Sequence, residues 1–285
     1  MMLNVLNMDS GIPSESKQGF LRLITYVNNI SILALAFFCK LFSRRVIVIL
    51  MYHTVGVPKD FYSVDPAEFE RQIDYLKENY AIVSLDEIVG FVKNSKKIPR
   101  KCVALTFDDG SQDLYANVYP YLRKNNLPAT VFVTTGYVEK NWPFDNRNHF
   151  KMLAWKQIEE MSNNNIEFGA HTVSHPDLER ISLEEAKREI LCSKIELEEH
   201  IKKRVRFFSY PSASHTQEIV DIVMSSGFEA AVGGGGTVGE RAKIFVLNRV
   251  QVDSSVSFML FKARLTKSVD VLRMIKQTVK KLSIR

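Results

Sequence analysis

Apolar residues along this chain follow two alternating patterns. The first is the short, largely apolar run, six to nine residues long, at 45–53 (RVIVILMYH), 102–107 (CVALTF), 129–134 (ATVFVT), 166–171 (IEFGAH), 205–211 (VRFFSYP), 228–233 (FEAAVG) and 245–252 (FVLNRVQV). Such runs, rich in β-branched and aromatic residues, predict strands buried on both faces, the mark of a parallel sheet. The second is helical spacing in most of the intervals between them. This alternation predicts an α/β domain with helices packed over the sheet, and seven strands suit a (β/α) barrel.

Helix boundaries are written in the same stretches. Asp65-Pro66-Ala67-Glu68 supplies a cap, a proline at the first helical position and an acid before the Phe69, Ile73, Leu76 stripe. Ser182 and Glu185 form a capping-box pattern at the head of a long helix. Ser111 is placed to cap the helix after 102–107, with Pro120 expected to kink or end it. The GGGG run at 233–236 reads as a flexible loop, and no internal linker divides the body.

The two ends differ from the body. The chain of 285 residues carries a net charge of +6, but residues 1–45 hold +3 and residues 259–285 hold +7, leaving 46–258 at −4. An acidic body argues against nucleic-acid binding as the main function. The segment 30–42 (ISILALAFFCKLF) is apolar but shorter than the roughly 20 residues a spanning helix needs. A docked or interfacial helix, a buried helix or weak anchor, and a cleaved signal peptide are the readings open to it. Phe261, Leu265, Val269, Leu272, Ile275, Val279 and Leu282 recur at helical spacing among basic residues, predicting an amphipathic helix that packs on the domain, a second subunit or a membrane. The organisation expected is therefore an N-terminal apolar and basic segment (1–44), a body (45–258) and a basic C-terminal helix (259–285). Peripheral membrane contact would run through 20–45 and 259–285. Three cysteines without a C-x-x-C pair indicate neither a disulfide framework nor a thiolate metal site.

In a parallel barrel, chemistry gathers at the C-terminal ends of the strands. There this sequence places His53, then Asp108 and Asp109 in TFDDG, then His171 and His175 in HTVSH. Asp-Asp-Gly alone is compatible with a solvated turn, and Gly110 permits the bend that lets both carboxylates border one site. Two imidazoles at i and i+4 reach one ion if their turn is helical, and a neighbouring carboxylate completes a three-ligand set that leaves positions open for catalysis. The second carboxylate is then free to take a proton from water.

TFDDG, HTVSHPDL and FFSYPSASH together resemble the polysaccharide deacetylases of carbohydrate esterase family 4, also called the NodB homology domain. VILMYHTV, LPATVFVT, SKIELEEHI, SSGFEAAV and LNRVQV extend the resemblance in order over residues 46–252. It implies a distorted (β/α)7 barrel of the glycoside hydrolase/deacetylase type and a metal-dependent hydrolase that removes N-acetyl groups from N-acetylhexosamine units of a polysaccharide, oligosaccharide or glycan precursor. Asp108 would be the base, and Asp109, His171 and His175 would hold one divalent metal, zinc by default, with cobalt, nickel or iron also suited. The backbone N–H of Ser212 after Pro211 would receive the oxyanion. Apart from the resemblance, Tyr210 and Trp155 are the aromatics placed to border the substrate by stacking on a sugar face, with core packing the default reading of both. The members that carry their catalytic histidine strand at the N-terminus make His53 the general acid, with His215 the second choice.

Two departures stand out. Ser209 occupies the position where many members have an arginine that steadies the base, and no late histidine strand follows His215; the last strand offers Arg249 and Asp253 instead. They give ground for a catalytically weak glycan-binding or assembly protein as one alternative; the other is an amidase or deformylase of small acylated substrates on the same scaffold. The inner face of a bacterial membrane is the favoured location, with export or membrane anchoring as the alternatives.

Overall fold

The structure is a computed structural model that describes residues 31–33, 35–36, 45–57, 60–94, 97–143, 150–239 and 242–282. Most of 1–44 and His149 lie outside the described residues. Within 30–42 the described residues are helical, with Ile32 buried in the core and Leu33 and Ala36 packed against it. Among the described residues no helix is long and apolar enough to cross a membrane.

The strands are β1 (Val46–Tyr52), β2 (Thr54–Val55), β3 (Ser63–Val64), β4 (Ala81–Ile82), β5 (Lys101–Phe107), β6 (Ala129–Val133), β7 (Ile166–Ala170), β8 (Phe207–Ser209), β9 (Ala230–Val232) and β10 (Val250–Gln251). All seven largely apolar runs contribute to one sheet, ordered β10-β1-β5-β6-β7-β8-β9. Every pairing along it is parallel. A parallel bridge between Val232 and Leu247 connects its two ends, so the ring closes through 247–251. This is the distorted barrel expected. Several strands are shorter than their runs: β8 stops at Ser209 because Tyr210 and Pro211 turn away, and proline has no N–H for a ladder. The two-residue strands β2, β3 and β4 are too short to leave a periodic signal.

The helices are α1 (Pro66–Asn79), α2 (Leu85–Val92), α3 (Tyr119–Lys124), α4 (Trp155–Ser162), α5 (Leu183–Ile201), α6 (Gln217–Ser225), α7 (Phe258–Arg264) and α8 (Ser268–Leu282). Asp65 caps α1 by accepting the amides of Ala67 and Glu68 at 2.9 and 3.2 Å. Ser182 and Glu185 close their capping box on α5. The cap expected at Ser111 does not form. Its hydroxyl donates to Asp113, a π-helical turn (Leu114–Val118) follows, and Pro120 enters in the first turn of α3, where its missing N–H costs nothing.

All seven residues of β1 are buried, and alternate residues face different cores. Ile47 and Ile49 join Ala104, Phe132, Phe207 and Val232 in the smaller cluster. Val48 and Leu50 join the larger one with α1 and α5. The single C-terminal helix expected over 259–285 is two, α7 and α8. The Thr266 hydroxyl donates to the Ala263 carbonyl at 2.8 Å and accepts the Ser268 amide at 3.2 Å, local bonds that displace the helical ladder. Phe261 and Leu265 are fully buried, so this half of the stripe is core, whereas Met274 and Ile275 are exposed.

Candidate active site

Each sequence-derived candidate can now be located. The Asp108 amide donates to the Tyr52 carbonyl at 2.9 Å, which sets the ends of β5 and β1 side by side. Asp109 then takes a left-handed conformation (φ 72°) and Gly110 follows at φ 87°, so the chain bends and both carboxylates stay at the rim. Both are buried, 3% and 7% exposed, which rules out the solvated turn.

Asp109 faces the imidazoles. Its Oδ1 lies 3.5 Å from His171 Nε2 and 3.7 Å from His175 Nε2, and donor atoms of the three residues all fall within 4.8 Å of one another. The HTVSH turn is not helical as the i, i+4 reading required. Thr172 and His175 both have positive φ, and the loop is pinned by Glu189 of α5, whose carboxylate accepts the Val173 and Ser174 amides and the Ser174 hydroxyl, each at 2.8 Å. Trp142 stands edge-on to His175 with ring centres 5.5 Å apart.

These residues fit a divalent cation. His171 Nδ1 meets the Ser209 carbonyl at 2.8 Å; as the donor in that bond it leaves Nε2 as a lone pair turned toward Asp109. Asp109 Oδ1 is buried with no hydrogen-bond partner among the described residues. Burial alone would lower the His171 pKa, but Asp108 and Asp109 outweigh it and raise it, the signature of a site that draws positive charge. Burial and the neighbouring His171 push His175 down to about 4, so it is neutral and available as a donor.

Asp108 lives in different surroundings. Arg249, 1% exposed, grips it with two bonds, Nη1 to Oδ1 at 2.7 Å and Nη2 to Oδ2 at 2.6 Å. The same guanidinium donates from Nη2 to Ser209 Oγ at 2.8 Å, and the Ser209 hydroxyl donates to Asp108 Oδ2 at 3.2 Å. Burial would raise the Asp108 pKa, but Arg249 first and His171 second hold it well below the carboxylate range. Arg249 and Ser209 look like separate departures in the sequence. Here they are one arrangement: the guanidinium reaches the carboxylate from the last strand, and the small serine leaves room for it.

His53 follows β1 directly. Its ring packs on Tyr62 at 4.8 Å, it lies close enough to couple electrostatically to Asp108, Asp109 and His175, and its buried Nδ1 has no hydrogen-bond partner among the described residues. His215 turns elsewhere, onto Tyr210 at 4.8 Å with Nδ1 at the Ala213 carbonyl. Pro211 opens a short 3-10 turn in which Ser212 is left-handed (φ 54°, ψ 16°). Tyr210 does not offer a face to substrate: it is 1% exposed and its hydroxyl donates to the Phe245 carbonyl at 2.9 Å, so it is a core residue. Trp155 likewise stacks on His200 at 3.7 Å. Asp253 is buried and accepts from Gln251 and Ser255.

Residues 95–231 match the polysaccharide deacetylase family. The chain carries a polysaccharide deacetylase domain, and with it the hydrolase class that acts on carbon–nitrogen bonds other than peptide bonds. Among its relatives, the YxkH protein of Bacillus subtilis (strain 168), assigned to the polysaccharide deacetylases, is 27% identical over 217 residues, 75% of this chain and 74% of that protein. The poly-β-1,6-N-acetyl-D-glucosamine N-deacetylase of Staphylococcus aureus (strain MRSA252) is 29% identical over 178 residues, 59% of this chain and 60% of that protein. Among solved structures, the Streptococcus pyogenes deacetylase PplD in complex with acetate aligns with a TM-score of 0.65 at 29% identity, over 74% of this chain and 94% of that one.

Proposed function

We propose that this protein is a divalent-metal-dependent N-deacetylase that hydrolyses the acetamide of N-acetylhexosamine residues in a polysaccharide, oligosaccharide or glycan precursor. The observation that carries this reading is the division within TFDDG. Asp109 turns to two imidazoles, while Asp108 is held as an anion by Arg249, 2.6 Å away.

Asp109, His171 and His175 would hold the ion, zinc by default, with cobalt, nickel or iron also suited. The bound ion supplies Lewis-acid polarisation and a more acidic water. Asp108 accepts the proton of the attacking water. The Ser212 N–H donates to the carbonyl oxygen as negative charge develops on it. His53, beside both aspartates, gives a proton to the nitrogen as the carbon–nitrogen bond breaks, so that acetate and a free amine leave.

The substrate class is supported by the polymer named for the S. aureus relative, although this chain spans 60% of that protein, and by the acetate in the S. pyogenes structure. The clamp on Asp108 weakens the case for a catalytically weak binding protein. In this reading 45–258 is the catalytic body. The C-terminal helix, with Met274 and Ile275 exposed in a basic segment, supports peripheral contact with the inner face of a bacterial membrane.

The test is acetate release from N-acetylglucosamine oligomers by metal-stripped protein, with and without added zinc, cobalt, nickel or iron. Release restored by metal supports the reading. No release from oligomers, alongside release from a small acylated amine, moves the assignment to the amidase alternative.

A further inference from the structure

The GGGG loop and the C-terminal helix are the two sequence features that the site leaves unused, and in the fold they meet behind Arg249. The amides of Gly235 and Gly236 both donate to the Arg249 carbonyl at 3.0 Å, and the Arg249 Nε donates to the Gly233 carbonyl at 2.8 Å. The loop thus grips Arg249 by backbone and side chain. Asp270, in the first turn of α8, holds the loop in turn: its Oδ1 accepts the Thr237 amide at 3.1 Å and its Oδ2 accepts the Thr237 hydroxyl. Arg273, one turn on, donates to Asn248 Oδ1 at 3.3 Å, next to Arg249 itself.

Glycine is required for this approach. A Cβ at Gly236 would stand 2.3 Å from Asp270 Oδ1, and φ there is +147°. The run of glycines is therefore the contact surface for the start of α8. It connects a helix otherwise read as a surface appendage to the guanidinium that grips Asp108.

We infer that Asp270 is a positioning residue for the reaction: by fixing the 233–237 loop on Thr237 it sets Arg249, and through Arg249 the carboxylate of Asp108. The inference rests on Asp108 being the base. Asp270 Oδ1 also lies 3.8 Å from Arg273 Nη2, a partly exposed pair one turn apart on α8, so the inference assigns the positioning to the two bonds with Thr237 rather than to that pair.

The test combines kinetics with a signal that does not depend on substrate. Asp270→Ala should lower kcat by about tenfold to a hundredfold, the scale of a small misplacement near the chemistry, with KM within about twofold. Asp270→Asn, which can accept the Thr237 amide and bond its hydroxyl, should restore most of that loss. In an Arg249→Lys background Asp270→Ala should cost almost nothing further, because both act along one path. In ¹⁵N-arginine-labelled protein the Arg249 Nε–H resonance should shift and exchange faster in Asp270→Ala, and Thr237→Val should move the same resonance in the same direction should the alanine variant fold poorly. An unmoved Arg249 signal in both variants, or losses that multiply with Arg249→Lys, would overturn the inference. A moved signal in a protein whose Asp108→Asn variant keeps full turnover would leave the positioning intact and sink the base assignment instead.

Discussion

Asp108 and Asp109 are neighbours in the chain, yet the groups they face come from different depths of the sequence. Asp109 meets His171 and His175, two residues of one short motif on the loop after β7, held by Glu189 from the next helix. Asp108 meets Arg249, whose 141-residue separation is bridged only because Leu247 and β10 close the barrel. The Asp109 side joins two short motifs, and its Oδ1 has no hydrogen-bond partner among the described residues; the Asp108 side is saturated by a guanidinium from the far end of the ring. A pair of like charges becomes tolerable at a core strand's end because Asp108 is paired with Arg249 while Asp109 faces two imidazoles.

That contrast can be broken from either side, and the largest effect should come from the base. Asp108→Asn removes the proposed proton acceptor and should lower kcat by about 10³-fold in the acetate assay. Arg249→Ala leaves a buried carboxylate unpaired and should cost about 3–5 kcal/mol in denaturant unfolding. If it costs less than about 1 kcal/mol, the clamp is not holding a buried anion. His53→Ala should lower kcat by about 10²-fold, while His215→Ala should leave it within about twofold. The reverse order would move the acid to the loop after Pro211.

A smaller effect concerns the segment that carries His53 onward. Asp113, pushed up to about 6 chiefly by burial, accepts the Val55 amide and the Ser111 hydroxyl. A carboxyl whose folded pKa lies above its unfolded value contributes most while protonated. Its contribution falls as pH rises from about 4 through about 6. Wild-type stability should therefore decline over that window relative to Asp113→Ala by about 2 kcal/mol, read by urea unfolding at pH 4 and pH 7. The smallest effect is Tyr210→Phe, which removes the bond to Phe245 and should cost about 1 kcal/mol with KM unchanged. A large KM change would return Tyr210 to the substrate.

The same contrast explains what the sequence makes legible. Largely apolar runs mark the seven strands of the ring, because a strand buried on both faces is mostly apolar; the last, FVLNRVQV, is interrupted by Asn248, Arg249 and Gln251. TFDDG and HTVSH expose the Asp109 side because their residues lie at strand ends within short motifs. The Arg249–Asp108 pair leaves no local trace: a lone arginine in LNRVQV and a serine in FFSYP acquire meaning only when the ring closes. The GGGG run reads as flexible for a related reason, since the Asp270 that occupies its open side is more than 30 residues away. Tyr210 stays open in the sequence between a sugar platform and its default as core, because an aromatic beside a motif gives no sign of whether its ring faces solvent or core; the structure places it in the core.

The measurement that tests the division most directly is calorimetric titration of metal-stripped Asp108→Asn and Asp109→Asn with zinc, beside the wild type. The account requires Asp108→Asn to bind one ion with an affinity within a few-fold of wild type while releasing no acetate, and Asp109→Asn to lose at least about tenfold in affinity. Equal losses in both variants, or a loss confined to Asp108→Asn, would contradict it.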